Sequence, residues 1–143
     1  MRGLLCAGWI GLLFVFTCIW DVTEMNGASS WVPQLSQHPD WSKFFSGYRL
    51  EGDMLVRKIG HVLGFAVLQI LLYRRLRSYA AAMAATAAVA VLTELLQPLF
   101  FRGGRALDVL VDLAGMALAT AALFFAQRIR RFPSQGKTRA RIR

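Results

Sequence analysis

Gly3 to Trp20 is an unbroken run of eighteen residues without a charge, and three more apolar segments follow at about 54–73, 79–100 and 106–126. These lengths match the roughly 20 residues that an α-helix needs to cross the hydrocarbon core of a bilayer. In lipid no water serves the backbone, so each segment must satisfy its own N–H and C=O groups, and a helix does this within one segment. The chain therefore reads as all-α, an integral membrane bundle of four transmembrane helices. A hydrophobic content of 56% with only 17% charged residues excludes an ordinary soluble domain.

The 17 Lys and Arg against 8 Asp and Glu give a net charge of +9. Nucleic-acid binding would need those cations on a soluble face among aromatic platforms. Here they flank apolar segments, so the expected partners are membrane lipids and no nucleic acid. With both termini in the cytoplasm, Arg2, Arg74, Arg75, Arg77 and the seven basic residues from Arg128 to Arg143 lie inside, eleven against six elsewhere. The positive-inside rule favours that orientation, a multi-pass membrane protein with its N and C termini in the cytoplasm. All eight acids then fall in the outer loop or the outer half of a span.

The first span is expected to be a retained helix, because no small-x-small cleavage site directly follows Trp20. Cys6 and Cys18 lie within it without CxxC spacing or a nearby His, as packed or lipid-facing thiols. The polar stretch 21–53 contains Trp41, Phe44, Phe45 and Tyr48 at i, i+3, i+4 and i+7 behind Asp40, which predicts a short interfacial helix in the outer loop. Its aromatic face would anchor in lipid or cover the mouth of the bundle.

Arg57, Lys58 and His61 occupy the first half of the second span, and Gly60 and Gly64 form a small-xxx-small pair suited to close helix approach. Arg74, Arg75 and Arg77, set between Tyr73 and Tyr79, predict a tight cytoplasmic turn. The third span opens with the small residues Ala80 to Ala90 and ends at Glu94-x-x-Gln97-Pro98. Pro98 lacks the N–H that would serve the Glu94 carbonyl, so the helix should kink or stop there. After an outer turn at Arg102 to Arg105, the fourth span places Asp108, Asp112, Gly115 and Ala119 on one face, which must look into the bundle. Residues 1–131 make one four-span domain, and 132–143 a basic cytoplasmic tail.

An ionisable side chain at the centre of a membrane helix costs roughly 2.5 to 3.5 kcal/mol on insertion scales and so marks an internal pair or a site. Lys58, His61, Glu94, Gln97, Arg102, Arg105, Asp108 and Asp112 reach one depth from three helices. In a structural reading, Arg105 pairs with Asp108 while Lys58 or Arg102 neutralises Glu94, holding the helices in register. In a functional reading, His61, Glu94, Asp108 and Asp112 form a catalytic set. His61 and either Glu94 or Asp112 then exchange a proton, while Lys58, Gln97, Arg102 and Arg105 hold an anionic headgroup such as a phosphate. No cofactor or metal is expected: His61, Glu94, Asp108 and Asp112 offer N and O ligands, but the surrounding cations oppose a divalent ion and no HExxH-type pattern fixes the geometry. A proton-coupled carrier fits less well, because the chain is short and has no inverted repeat.

Three blocks carry a resemblance. They are Lys58-Ile-Gly-His61 with Phe65, Glu94-Leu-Leu-Gln97 followed by Phe100-Phe101, and Arg105-Ala-Leu-Asp108-Val with Gly115 downstream. In order and spacing these resemble the VanZ-like membrane proteins over about Met54 to Phe125. Two positions depart from that pattern: Arg57 stands where the family usually has Asp, and Asp112 where it usually has Asn. The resemblance implies a small integral protein of the bacterial cell envelope, in a family named after a protein linked to tolerance of the glycopeptide teicoplanin. His61, Glu94, Arg105 and Asp108 match its motifs. The expected function is binding or modification of an anionic envelope lipid or lipid-linked cell-wall precursor, with glycopeptide tolerance as a consequence. The rival is a non-catalytic assembly or binding protein whose charges are structural.

Overall fold

The computed structural model describes residues 1–19, 35–42, 44, 45, 47, 52–100 and 104–131. Regular structure among them is entirely helical. Helix α1 (Arg2–Phe14) runs on as a π-helical turn over Val15–Ile19, and α2 covers Gly52–Leu76. Helix α3 (Tyr79–Leu96) tightens into a 3-10 turn over Gln97–Phe100, and α4 covers Ala106–Arg131. Four stretches, Arg2–Ile19, Leu55–Leu76, Tyr79–Phe100 and Ala106–Arg130, are long and apolar enough to cross a membrane. The protein is a multi-pass membrane protein. Helix α4 runs past the expected end of its span near Ala126, and the basic tail 132–143 lies outside the described residues.

Only Arg77 and Ser78 join α2 to α3. Arg77 takes a left-handed φ of 58° and donates its N–H to the Tyr73 carbonyl at 2.9 Å, closing α2 in the conformation usually left to glycine. Ser78 then caps α3 by accepting from the Ala81 N–H at 3.3 Å. Tyr73 and Tyr79 stack across this link with ring centroids 4.3 Å apart. This end of the bundle, with Met1, Arg74 and Arg75, is the basic end. The opposite end, where α3 stops and α4 starts, carries the site.

Helix α2 is central and packs most extensively on α4. Phe65 and Leu68 of α2 are fully buried, and α3 turns Ala82, Thr86 and Ala90 inward at four-residue spacing. The close approach of α2 and α4 occurs at Gly115, where an added β-carbon would run into the backbone carbonyl of Val62. The sequence suggests Gly60 and Gly64 for such a contact. Gly64 instead faces α1, with the Leu13 Cδ2 at 2.7 Å from where its β-carbon would sit, and Gly60 meets nothing within 4 Å. Only the residue facing a partner's backbone at the crossing must be small, and on this pair that residue belongs to α4. The Trp9 indole N–H donates to the Gly64 carbonyl at 3.0 Å and ties α1 to α2. Cys6 and Cys18 are both buried thiols, neither in a disulfide, and the Cys18 thiol donates to the Thr93 carbonyl at 3.5 Å.

At the site end the described loop residues form a turn where a short helix is expected. Asp40 Oδ1 accepts from the Ser42 N–H at 2.9 Å and its hydroxyl at 2.6 Å, and Phe44 N–H closes on the Trp41 carbonyl at 3.1 Å. Such Asp-centred turns offer the backbone an alternative to helix. Tyr48 lies outside the described residues. The aromatic rings still cluster, Phe44 on Phe45 at 5.1 Å. Two backbone bonds, Ser36 N–H to the Leu99 carbonyl at 2.7 Å and Ala106 N–H to the Phe44 carbonyl at 2.9 Å, lay this turn across the end of α3 and the start of α4.

Candidate functional site

Pro98 sets the geometry around Glu94. Helix α3 ends at Leu96, and the chain returns after the 3-10 turn so that Gly104 packs against the Glu94 carbonyl, where a β-carbon would overlap the oxygen. That close return delivers the Arg105 N–H to Glu94 Oε2 at 2.9 Å, while the Gln97 amide donates to Oε1 at 2.6 Å. Glu94 has no solvent exposure. Both carboxylate oxygens are thus fixed by neutral donors, which orient the group without cancelling its charge.

Across the α2/α4 crossing two pairs form. Lys58 Nζ meets Asp108 Oδ1 at 2.6 Å, and one turn deeper His61 Nδ1 meets Asp112 Oδ1 at 2.8 Å. The side chains of the first pair are about one-fifth exposed; Asp112 is fully buried. With Asp112 ionised, Nδ1 carries the imidazole proton and Nε2 the lone pair, the tautomer that a general base requires. Asp112 Oδ2 is buried without a hydrogen-bond partner among the described residues. An acceptor left in that state marks a place for a proton, a cation or a donor from a ligand.

His61, Glu94 and Asp112 each present one ligand atom within 4.8 Å of the others, from three different helices. Two chemistries follow. The three groups could pass a proton among themselves and a substrate, or supply one nitrogen and two oxygens to a divalent cation. Lys58, one of the cations expected to oppose a metal, is engaged with Asp108. The geometry therefore admits an ion at His61, Glu94 and Asp112 more readily than spacing alone suggests.

Of the residues singled out in the sequence, Lys58, His61, Glu94, Gln97, Asp108 and Asp112 converge through their side chains, and Arg105 joins through its backbone N–H. Arg102 lies outside the described residues. Sequence reasoning missed a second polar layer at mid-bundle. Gln69, fully buried, accepts from the Thr86 hydroxyl at 2.8 Å and donates to Thr120 at 3.0 Å, joining α2, α3 and α4. Its only sequence signal is that Gln69 and Thr120 each lie eight residues, on the same helix face, beyond His61 and Asp112. Arg57, which the sequence marks as a departure from the family pattern and not as a site residue, lines a cleft with His61.

Four membrane-spanning helices that bring a half-buried histidine onto two buried carboxylates at one end define a small polytopic membrane protein with an intramembrane polar site. The chain belongs to the VanZ/LLP1 family, whose model matches residues 3–127. It is 34% identical over 131 residues to the uncharacterized membrane protein YwnJ of Bacillus subtilis (strain 168), covering 90% of this chain and 94% of that protein. No solved structure matches it.

Proposed function

We propose that the protein binds an anionic lipid or lipid-linked precursor of the bacterial cell envelope and acts on its headgroup. The observation that carries this reading is the convergence of His61, Glu94 and Asp112 within 4.8 Å at one end of the bundle, beside the Lys58–Asp108 pair. His61, oriented by Asp112, serves as the base; Glu94, Asp108 and Asp112 complete the catalytic set. Lys58, Gln97, Arg105 and, by its place in the sequence, Arg102 supply donors to a phosphate-like group. With both termini cytoplasmic, as the distribution of basic residues favours, the site faces outward across the cell membrane. The family name connects such a protein to teicoplanin tolerance.

The test is to express His61→Ala and Glu94→Gln in a susceptible bacterium lacking its own homologue, measuring membrane abundance and teicoplanin susceptibility together. Normal abundance with lost protection is expected. Lost abundance would instead favour an assembly protein in which the two cross-helix pairs only hold α2 on α4. Unchanged values for both variants would remove the cluster from function altogether.

A further inference from the structure

A cleft of about 430 Å³ runs along the seam of α1 and α2. That is within the range of small-ligand sites, roughly 300 to 1,000 Å³. One wall is Trp9 and Leu13 of α1 with Phe16 of the π-helical turn that continues it; the other is Gly60, Leu63 and Val67 of α2. Because α1 and α2 run in opposite directions, Phe16 and Val56 lie toward the site end while Trp9 and Val67 lie near mid-bundle. The polar residues, Thr17, Arg57 and His61, gather at the site end, and below them the lining is apolar apart from the Trp9 indole N–H, which is held by Gly64. Leu63 is 60% and Phe16 42% exposed, so the cleft opens sideways to the bilayer.

We propose that this cleft seats one hydrocarbon chain of an anionic lipid, with its headgroup at Arg57 and His61. Three observations select that occupant. The lining grades from cationic and polar at the site end to apolar at mid-bundle, as a lipid in one leaflet does. His61 belongs both to the cleft and to the Asp112 pair, so a headgroup at the mouth already touches the polar cluster. Described loop residues bond across the end of the bundle, Ser36 to Leu99 and Phe44 to Ala106, while the seam of α1 and α2 opens to the side, the direction from which a membrane-borne substrate comes. The proposal rests on the headgroup reading above and adds how the substrate arrives: laterally, from the lipid phase.

Trp9 makes the cleft observable. In the full chain carrying Trp20→Phe, Trp31→Phe and Trp41→Phe, Trp9 is the sole indole, and lipids brominated along the chain quench its fluorescence. The protein is placed in phosphatidylcholine vesicles holding equal fractions of brominated phosphatidylglycerol or brominated phosphatidylcholine. Phosphatidylglycerol is expected to occupy the cleft about five-fold more, the preference one basic residue gives at headgroup level. Arg57→Gln should erase that preference. Gly60→Leu fills the cleft from a position with nothing within 4 Å and should lower quenching by both lipids without disturbing a packed contact. Inorganic phosphate in excess should leave quenching unchanged, since the chain is what the cleft holds. Equal quenching by the two lipids, or no response to Gly60→Leu, overturns the proposal. Preferential quenching with full protection in His61→Ala leaves the lipid seat standing and removes the catalytic reading; lost protection without preferential quenching does the reverse.

Discussion

The α-carbon of Gly115 lies against the carbonyl of Val62, backbone to backbone, and this contact brings the short side chain of Asp112 within reach of His61. Aspartate has a single methylene before its carboxylate, so it bridges two helices only where their axes run close. The small residue on α4 and the pair one turn away are one device.

Gly115→Val should therefore force α2 and α4 apart. Overpacking of this kind costs about 1 to 3 kcal/mol. A lower unfolding temperature of the purified protein in detergent is expected, together with lost function. Gly60→Ala, at an open position, should leave the unfolding temperature where it was; a matching fall there would show that α2 is simply intolerant of larger residues.

Lys58 and Asp108 should behave as a unit. Lys58→Met or Asp108→Leu alone removes a hydrogen bond between partly buried charged groups, a loss of about 1.5 to 3 kcal/mol. Membrane abundance is expected to fall in each single variant and recover in the double variant. Strictly additive losses would show that the two side chains do not support one another.

The spans were legible because a run of eighteen or more apolar residues has few other uses. The inward face of α4 was legible too, because Asp108, Asp112, Gly115 and Ala119 repeat at helical spacing, and the structure buries the last three. Which helix meets which was not. That Lys58 reaches Asp108, or that Arg105 serves Glu94 through its backbone, is decided by a crossing and a turn about which spacing along one helix says nothing. Gln69, Thr86 and Thr120 carry no charge, so a hydropathy reading passes over them. The aromatic spacing at Trp41 to Tyr48 pointed to a helix, but Asp40 engages Ser42 and produces a turn over the described residues.

The mid-bundle layer should matter far less than the site. Interhelical hydrogen bonds in membranes average about 0.6 kcal/mol. Gln69→Leu loses two of them and should lower thermal stability by only about 1 kcal/mol, and leave intact whatever protection His61→Ala is found to abolish. Lost protection at normal abundance would extend the functional site to the centre of the membrane.

Chelation separates the two chemistries open to His61, Glu94 and Asp112. Under proton transfer, treating membranes with EDTA leaves lipid binding and unfolding temperature as they were. A fall in unfolding temperature that added zinc reverses, absent in Asp112→Asn, would assign the three residues to an ion instead.

The partners of Lys58 and His61 lie 50 and 51 residues further along the chain, on α4, which is synthesised after α2 and α3. Until α4 emerges, the cation and the imidazole of α2 sit in the nascent bundle without their carboxylates, and that state is costly in lipid. The two-residue link at Arg77 and Ser78 commits α2 and α3 to enter the membrane together as a hairpin. Completion of the two cross-helix pairs thus waits on translation of α4. A chain shortened before Asp108 would retain three apolar helices but lack both carboxylates of the α2–α4 pairs, and the cell's membrane proteases would have a chemical mark by which to tell it from the finished protein.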